Sequence, residues 1–218
     1  MELFLDTNVL CGYTFQKSNW NPFSIDVMCS EYLKHSCFKV KKEYENNYHK
    51  NVDPMRTELV NAINQLGSRS SSTKDVITIL NKYIYNPSVN SLLEVGINTT
   101  DLNEARRELT EIINTFILIF SKKRSYLYKN IKFKDQIIYD DKKVYSELEK
   151  TGLKGSNSSD FHIVLNAHYI GRTNWKNLCF VTADKNDILD RKDAIVVCTS
   201  LKEIIKLQGF REYCKKCG

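Results

Sequence analysis

The chain opens on a short unbroken apolar run, Leu3, Phe4 and Leu5, that stops at Asp6. A run without alternation predicts a parallel strand buried on both faces, here with an acid at its carboxyl end. Asn21-Pro22 offers a helix cap and a proline for the first turn. Phe23, Val27, Met28 and Leu33 follow at near-helical spacing, so a helix is expected from Pro22 to about Lys34. Phe38 to Val40 predicts a second strand, with a helix opening near Lys42. Asp53-Pro54 reads as the cap of a helix ending at Gly67. Residues 69–73, RSSST, read as a polar loop, and Ser72 with Asp75 as the capping box of a helix that stops before Asn86-Pro87. Asp101 with Glu104 starts the clearest helix, whose apolar face is Leu102, Ala105, Leu109, Ile112, Ile113, Phe116 and Phe120. After a Gly/Ser loop at 152–159, Asp160 opens a helix with Ile163, Val164, Ala167 and Ile170 on one face, closed by Gly171. Leu178 to Thr182 and Ala194 to Thr199 predict two more strands. Ser200 with Glu203 predicts a final capping box, for a helix ending at Gly209.

Non-alternating apolar runs separated by helices indicate an α/β fold: a three-layer α/β/α sandwich around a central parallel sheet. The strand signals cluster at the two ends of the sequence. Residues 1–218 are therefore read as a single domain, with 46–150 as a helical insertion within it. A chain of 218 residues can bury a core of its own, and only 8 Gly and 3 Pro argue against a disordered or fibrous chain. No apolar run approaches the ~20 residues of a membrane span, so no membrane partner is expected. The N-terminus carries an acid at Glu2 and no basic segment, unlike a signal peptide, which predicts a cytoplasmic protein. Seven scattered cysteines, an odd number, fit reduced thiols better than a disulfide framework.

The acids fall at telling places. Asp6 follows the first strand, Asp184 follows the Leu178–Thr182 strand, and Asp187 lies three residues further on. Asp160 sits in a first helical turn, and Glu43 in the first turn after the Phe38–Val40 run. In open parallel sheets, ligands bind beyond the carboxyl ends of strands, where the strand order reverses. Carboxylates converging there repel, and a hard divalent cation, Mg²⁺ or Mn²⁺, removes that cost. Such an ion can activate water for attack on a phosphate ester. Each acid alone has a plainer reading: Asp6 as a cap after the strand, Asp160 as a helix-dipole acid, Asp184 and Asp187 as turn residues.

LFLDTNVL, VKKE (40–43), SDFHIVLNAHYIG (159–171) and FVTADKND (180–187) together resemble the PIN domain family over about 1–45 and 152–208. The resemblance implies a single PIN-like α/β/α domain and a divalent-metal-dependent ribonuclease, related to the 5′-nuclease group. It implies Asp6, Glu43, Asp160 and Asp184 as catalytic acids, with Asp6, Asp160 and Asp184 holding the metal. Asn8, Thr182 and Asp187 would support them from behind. Glu45 lies two residues from Glu43, and the sequence alone leaves the choice between them open. More than a hundred residues separate the second and third acids, which departs from compact toxin-type members. An antitoxin-type protein partner is accordingly not favoured. A structure-specific DNA nuclease and a non-catalytic RNA-binding scaffold with the same fold are the alternatives. A phosphotransferase of the haloacid-dehalogenase kind would need a second Asp where this chain has Asn8.

Net charge is +6, and its distribution tells more than its size. From 121 to 134 the chain reads SKKRSYLYKNIKFK, with Lys122, Lys123, Arg124, Lys129, Lys132 and Lys134 and no acid. Interleaved with Tyr126, Tyr128 and Phe133, these cations read as a groove for single-stranded RNA. The plainer reading is a solvated face whose long stems cover apolar surface. The insertion is expected to shape a substrate groove or a homodimer face.

Overall fold

The computed structural model describes residues 1–15, 18–67, 101–134, 142–153, 158–173 and 177–217. Five strands form one sheet: β1 (Glu2–Leu5), β2 (Leu33–Ser36), β3 (Ile131–Phe133), β4 (Leu178–Thr182) and β5 (Glu203–Lys206). Their order is β3-β2-β1-β4-β5, and every pairing is parallel. Among the described residues there are eight α-helices: α1 (Thr7–Thr14), α2 (Asn21–Cys29), α3 (Phe38–Gly67), α4 (Leu102–Asn130), α5 (Lys142–Lys150), α6 (Ser159–Thr173), α7 (Lys192–Cys198) and α8 (Phe210–Cys217). The fold is α/β, as the apolar runs require. Every residue of β4 is buried, the condition of a strand covered on both faces. None of the described helices is long and apolar enough to cross a membrane.

The chain divides into two compact units, one of residues 1–46 and 124–218, the other of 47–123. The first holds the sheet. Its core centres on β1 and β4, where Phe4 and Phe180 stack with ring centroids 5.2 Å apart. Helix α1 packs on α2 and β4, and α6 lies along β4. Thr14 and Tyr44 hydroxyls meet at 3.0 Å and tie α1 to α3. Among its described residues, the second unit pairs the rest of α3 with most of α4. Met55, Leu59 and Ala62 of α3 close on Ala105, Leu109 and Ile113 of α4, with Phe116 and Phe120 beside them. The three-and-four spacing of these residues supplies the apolar seam. Asp101 caps α4 by accepting the N–H groups of Asn103 and Glu104, each at 2.9 Å.

The range 46–150, read as a helical insertion, differs from this division. It contains β3, which belongs to the sheet, and the second compact unit is 47–123. Several elements also differ from the sequence expectation. The second strand is Leu33–Ser36, and Phe38–Val40 is the first turn of α3. Lys34, His35 and Ser36 are buried polar residues whose partners come from elsewhere. Lys34 Nζ donates to the Ser30 and Tyr32 carbonyls, His35 Nε2 lies 2.8 Å from Glu2, and Ser36 donates to the Leu5 carbonyl. Helix α2 consequently stops at Cys29, short of Lys34. Asp53-Pro54 lies inside α3, whose register runs on to Gly67.

Ala194 to Thr199 is helical up to Cys198, because only Ile195 is buried there and Val197 is 87% exposed. The edge strand is instead Glu203–Lys206, where the adjacent Ile204 and Ile205 are both buried. The predicted final helix therefore begins later, at Phe210. Gly171 does not close α6. It lies inside the helix, where an added Cβ would come 2.9 Å from the Ser200 carbonyl oxygen. Residues 69–73 and the Ser72–Asp75 capping box lie outside the described residues.

Candidate metal centre

The order of strands reverses between β1 and β4, and the crevice beyond their carboxyl ends is where such sheets bind ligands. Asp6 stands at the end of β1 and caps α1. Its Oδ1 accepts the Thr7 N–H at 2.6 Å, and its Oδ2 accepts from Asn8 Nδ2 at 2.7 Å and from the Thr182 hydroxyl at 2.6 Å. The cap reading and the site reading of Asp6 are thus compatible. Asn8 Oδ1 accepts the Ala183 N–H at 2.9 Å, so one amide side chain joins α1 to the end of β4. Thr182, fully buried, also accepts the Asp184 N–H at 2.9 Å. One threonine hydroxyl thereby sets the positions of both strand-end acids.

Helix α3 supplies Glu43. The Thr7 hydroxyl donates to its Oε2 at 2.6 Å and the Ser159 hydroxyl donates to its Oε1. Glu45, the other candidate, turns away and pairs with Arg124 at 2.6 Å. The geometry therefore brings Glu43, not Glu45, to the strand ends. Thr7 and Ser159 are partners of Glu43 that the sequence does not single out. Their one signal is adjacency: each is the hydroxyl residue next to a candidate acid.

Asp160, in the first turn of α6, completes the group. One carboxylate oxygen from each of Asp160, Asp184 and Asp187 lies within 4.8 Å of the others. Asp187 donates its N–H to Asp184 Oδ1 at 3.0 Å, closing the loop after β4. The trio differs from the expected Asp6, Asp160 and Asp184. Asp187 joins the cluster of possible ligands, while both oxygens of Asp6 are already hydrogen-bonded behind it.

Charge is concentrated here at a cost. Burial pushes the Asp6 carboxyl up from 3.8 to about 6, the Asp160 and Glu43 charges add to that, and the Thr182 and Thr7 hydrogen bonds oppose it. Cys11, on α1 nearby, is pushed up to about 12 by burial and by Asp6 and Glu43. A thiol so placed keeps its proton near neutral pH.

The basic run is shared between elements. Lys122, Lys123, Arg124 and Lys129 ride on the last turns of α4, Lys132 is in β3 and Lys134 just past it. Lys122, Lys129, Lys132 and Lys134 are exposed, Lys123 and Arg124 half-buried. Arg124 is spent on Glu45, and burial lowers the Lys123 ammonium. The interleaved aromatics are partly committed as well. Tyr126 packs on Tyr13 at 5.5 Å, and Tyr128 meets Tyr44 and Phe133 edge-on.

No family model, curated protein or solved structure matches this chain. Its class is defined here by fold and site together: a parallel α/β sheet with five acids gathered at its topological switch point.

Proposed function

We propose that the chain is a divalent-metal-dependent nuclease acting on single-stranded RNA. The observation that carries this reading is the convergence of Asp6, Glu43, Asp160, Asp184 and Asp187, from four separate stretches of chain, on one crevice. The donor set fits Mg²⁺ or Mn²⁺ by its chemistry: it is all carboxylate, the hard oxygen donor these ions prefer, with one oxygen from each of three acids within 4.8 Å of the others. Asp160, Asp184 and Asp187 would hold the ion, and Asp6 would anchor the frame behind them. When bound, the ion lowers the pKa of a coordinated water and offsets charge on the phosphate.

The chain's own residues do the rest. Thr182 and Asn8 fix the Asp6 carboxylate, so the acids are held before any ligand arrives. Glu43, oriented by two hydroxyls, is placed to take the proton of the attacking water. The order of acids along the chain is that of the PIN domains the sequence resembles, which supports the same reaction class.

The test uses purified protein with labelled single-stranded RNA and DNA of one sequence, in Mn²⁺, Mg²⁺ or EDTA, beside Asp6→Asn and Asp184→Asn. RNA cleavage that needs the metal and is lost in both variants is the expected result. Cleavage of DNA alone would replace the substrate. Binding without cleavage, unaltered in both variants, would replace the reaction with a scaffold role.

A further inference from the structure

The first two turns of α3 carry more than Glu43. Phe38, the first residue of the helix, is 50% exposed, which is unusual for a phenylalanine beside a charged crevice. Lys41, one turn on, reaches over three rings: its Nζ lies 4.6 Å from the Tyr128 centroid, 5.6 Å from Phe133 and 5.9 Å from Phe38. These residues sit at the carboxyl ends of β2 and β3, the same end of the sheet as the acids. β2 is hydrogen-bonded to β1, so Phe38 enters α3 next to the strand end that carries Asp6.

The exposed charges around this spot are cations. Lys39, Lys132 and Lys134 are exposed, and Lys39 stands one turn before Glu43, the i,i+4 spacing that shares a helix face. Of the two acids in this part of α3, Glu43 belongs to the carboxylate cluster and Glu45 pairs with Arg124. An exposed aromatic ring under an ammonium, ringed by exposed cations and adjoining a carboxylate cluster, is poorly suited to an acidic or apolar protein surface. It suits a polyanion whose units carry flat rings.

We propose that Phe38 and Lys41 form a stacking platform for one unpaired nucleobase of a single-stranded nucleic acid, with Lys39, Lys132 and Lys134 following its phosphates. This rests on the nuclease reading for the direction of the strand, toward the acids, but not for binding itself. It also relocates the stacking residue. Phe38 is 50% exposed, against 38% for Tyr126 and a half-buried Tyr128.

The test is fluorescence anisotropy with a labelled oligouridylate of about ten nucleotides, in EDTA so that no cleavage occurs. Phe38→Ala is expected to weaken binding roughly five- to a hundredfold, the worth of one stacked base. A backbone of the same length with abasic sites should bind the native chain and Phe38→Ala equally. Phe38→Trp should retain affinity and show tryptophan quenching with the oligouridylate but not with inorganic polyphosphate. Far-ultraviolet circular dichroism checks that each variant is folded. Affinity of Phe38→Ala within twofold of native, or no quenching of Phe38→Trp, overturns the platform. The two readings fail separately. Base-dependent binding without metal-dependent cleavage overturns only the nuclease, and cleavage with unchanged KM in Phe38→Ala overturns only the platform.

Discussion

Asp6 makes the stability of the metal-free protein fall as pH rises. Its carboxyl is buried, 5% exposed, and holds its proton up to about pH 6, against 3.8 when unfolded. The folded state therefore binds more protons than the unfolded one between these values. Stability from this group is fullest below pH 4 and is lost as pH rises through about 6. Each pH unit between the two values is worth about 1.4 kcal/mol, so the loss is about 3 kcal/mol, a large share of ordinary domain stability.

His35 works in the opposite direction: burial holds its pKa below 6.5, so it withdraws stability as pH falls. Taking the difference between native protein and Asp6→Asn removes that contribution. The carboxamide introduced by Asp6→Asn would set its amide against that of Asn8, a constant penalty, but it does not titrate. Urea denaturation in EDTA from about pH 4 to 7.5 is the assay. The native-minus-variant stability should drop by about 2–3 kcal/mol across the range. Saturating Mn²⁺ should shrink the drop, since a cation held by the neighbouring acids favours the ionised form of Asp6. A difference flat to within about 0.5 kcal/mol would refute the argument that Asp6 is a buried acid that folding forces to keep its proton.

Further outcomes follow from the same structure. Mn²⁺ at about a hundred times its dissociation constant should stabilise the native chain by about 2.7 kcal/mol, read as a rise in Tm, and Asp184→Asn should remove most of that rise. Gly171→Ala should destabilise the fold by about 1–3 kcal/mol in urea melts, because its Cβ would press on the Ser200 carbonyl, a backbone atom that cannot swing aside. Phe180→Ala should cost about 3–5 kcal/mol by emptying the stack on Phe4, measured by the same melts. Ser159→Ala should leave stability near native and lower kcat more than it raises KM, since it removes one hydroxyl that orients Glu43.

Legibility followed the locality of the signal. β1 and β4 were plain because unbroken apolar runs end in an acid, and the same acids marked the crevice. β2 was hidden because LKHS is polar, and its burial depends on Glu2, on the Leu5 carbonyl and on the carbonyls of Ser30 and Tyr32. β3 was hidden because three residues continue from the end of α4 with no Gly or Pro between. AIVVC reads as a strand by composition, yet Val197 faces outward from a helix and the true edge strand is the shorter EIIK. The choice between Glu43 and Glu45 needed tertiary geometry, because it turns on Thr7, Ser159 and Arg124, far apart in sequence.

A divalent cation on the strand-end acids is what the proposed chemistry needs first. Mn²⁺ titration followed by electron paramagnetic resonance tests it most directly, with native protein, Asp160→Asn and Asp184→Asn compared near neutral pH. Loss of the free-ion signal on adding native protein, with binding at least about tenfold weaker in either variant, is the predicted result. Binding that is absent from the native chain, or as strong in both variants as in the native chain, would contradict it.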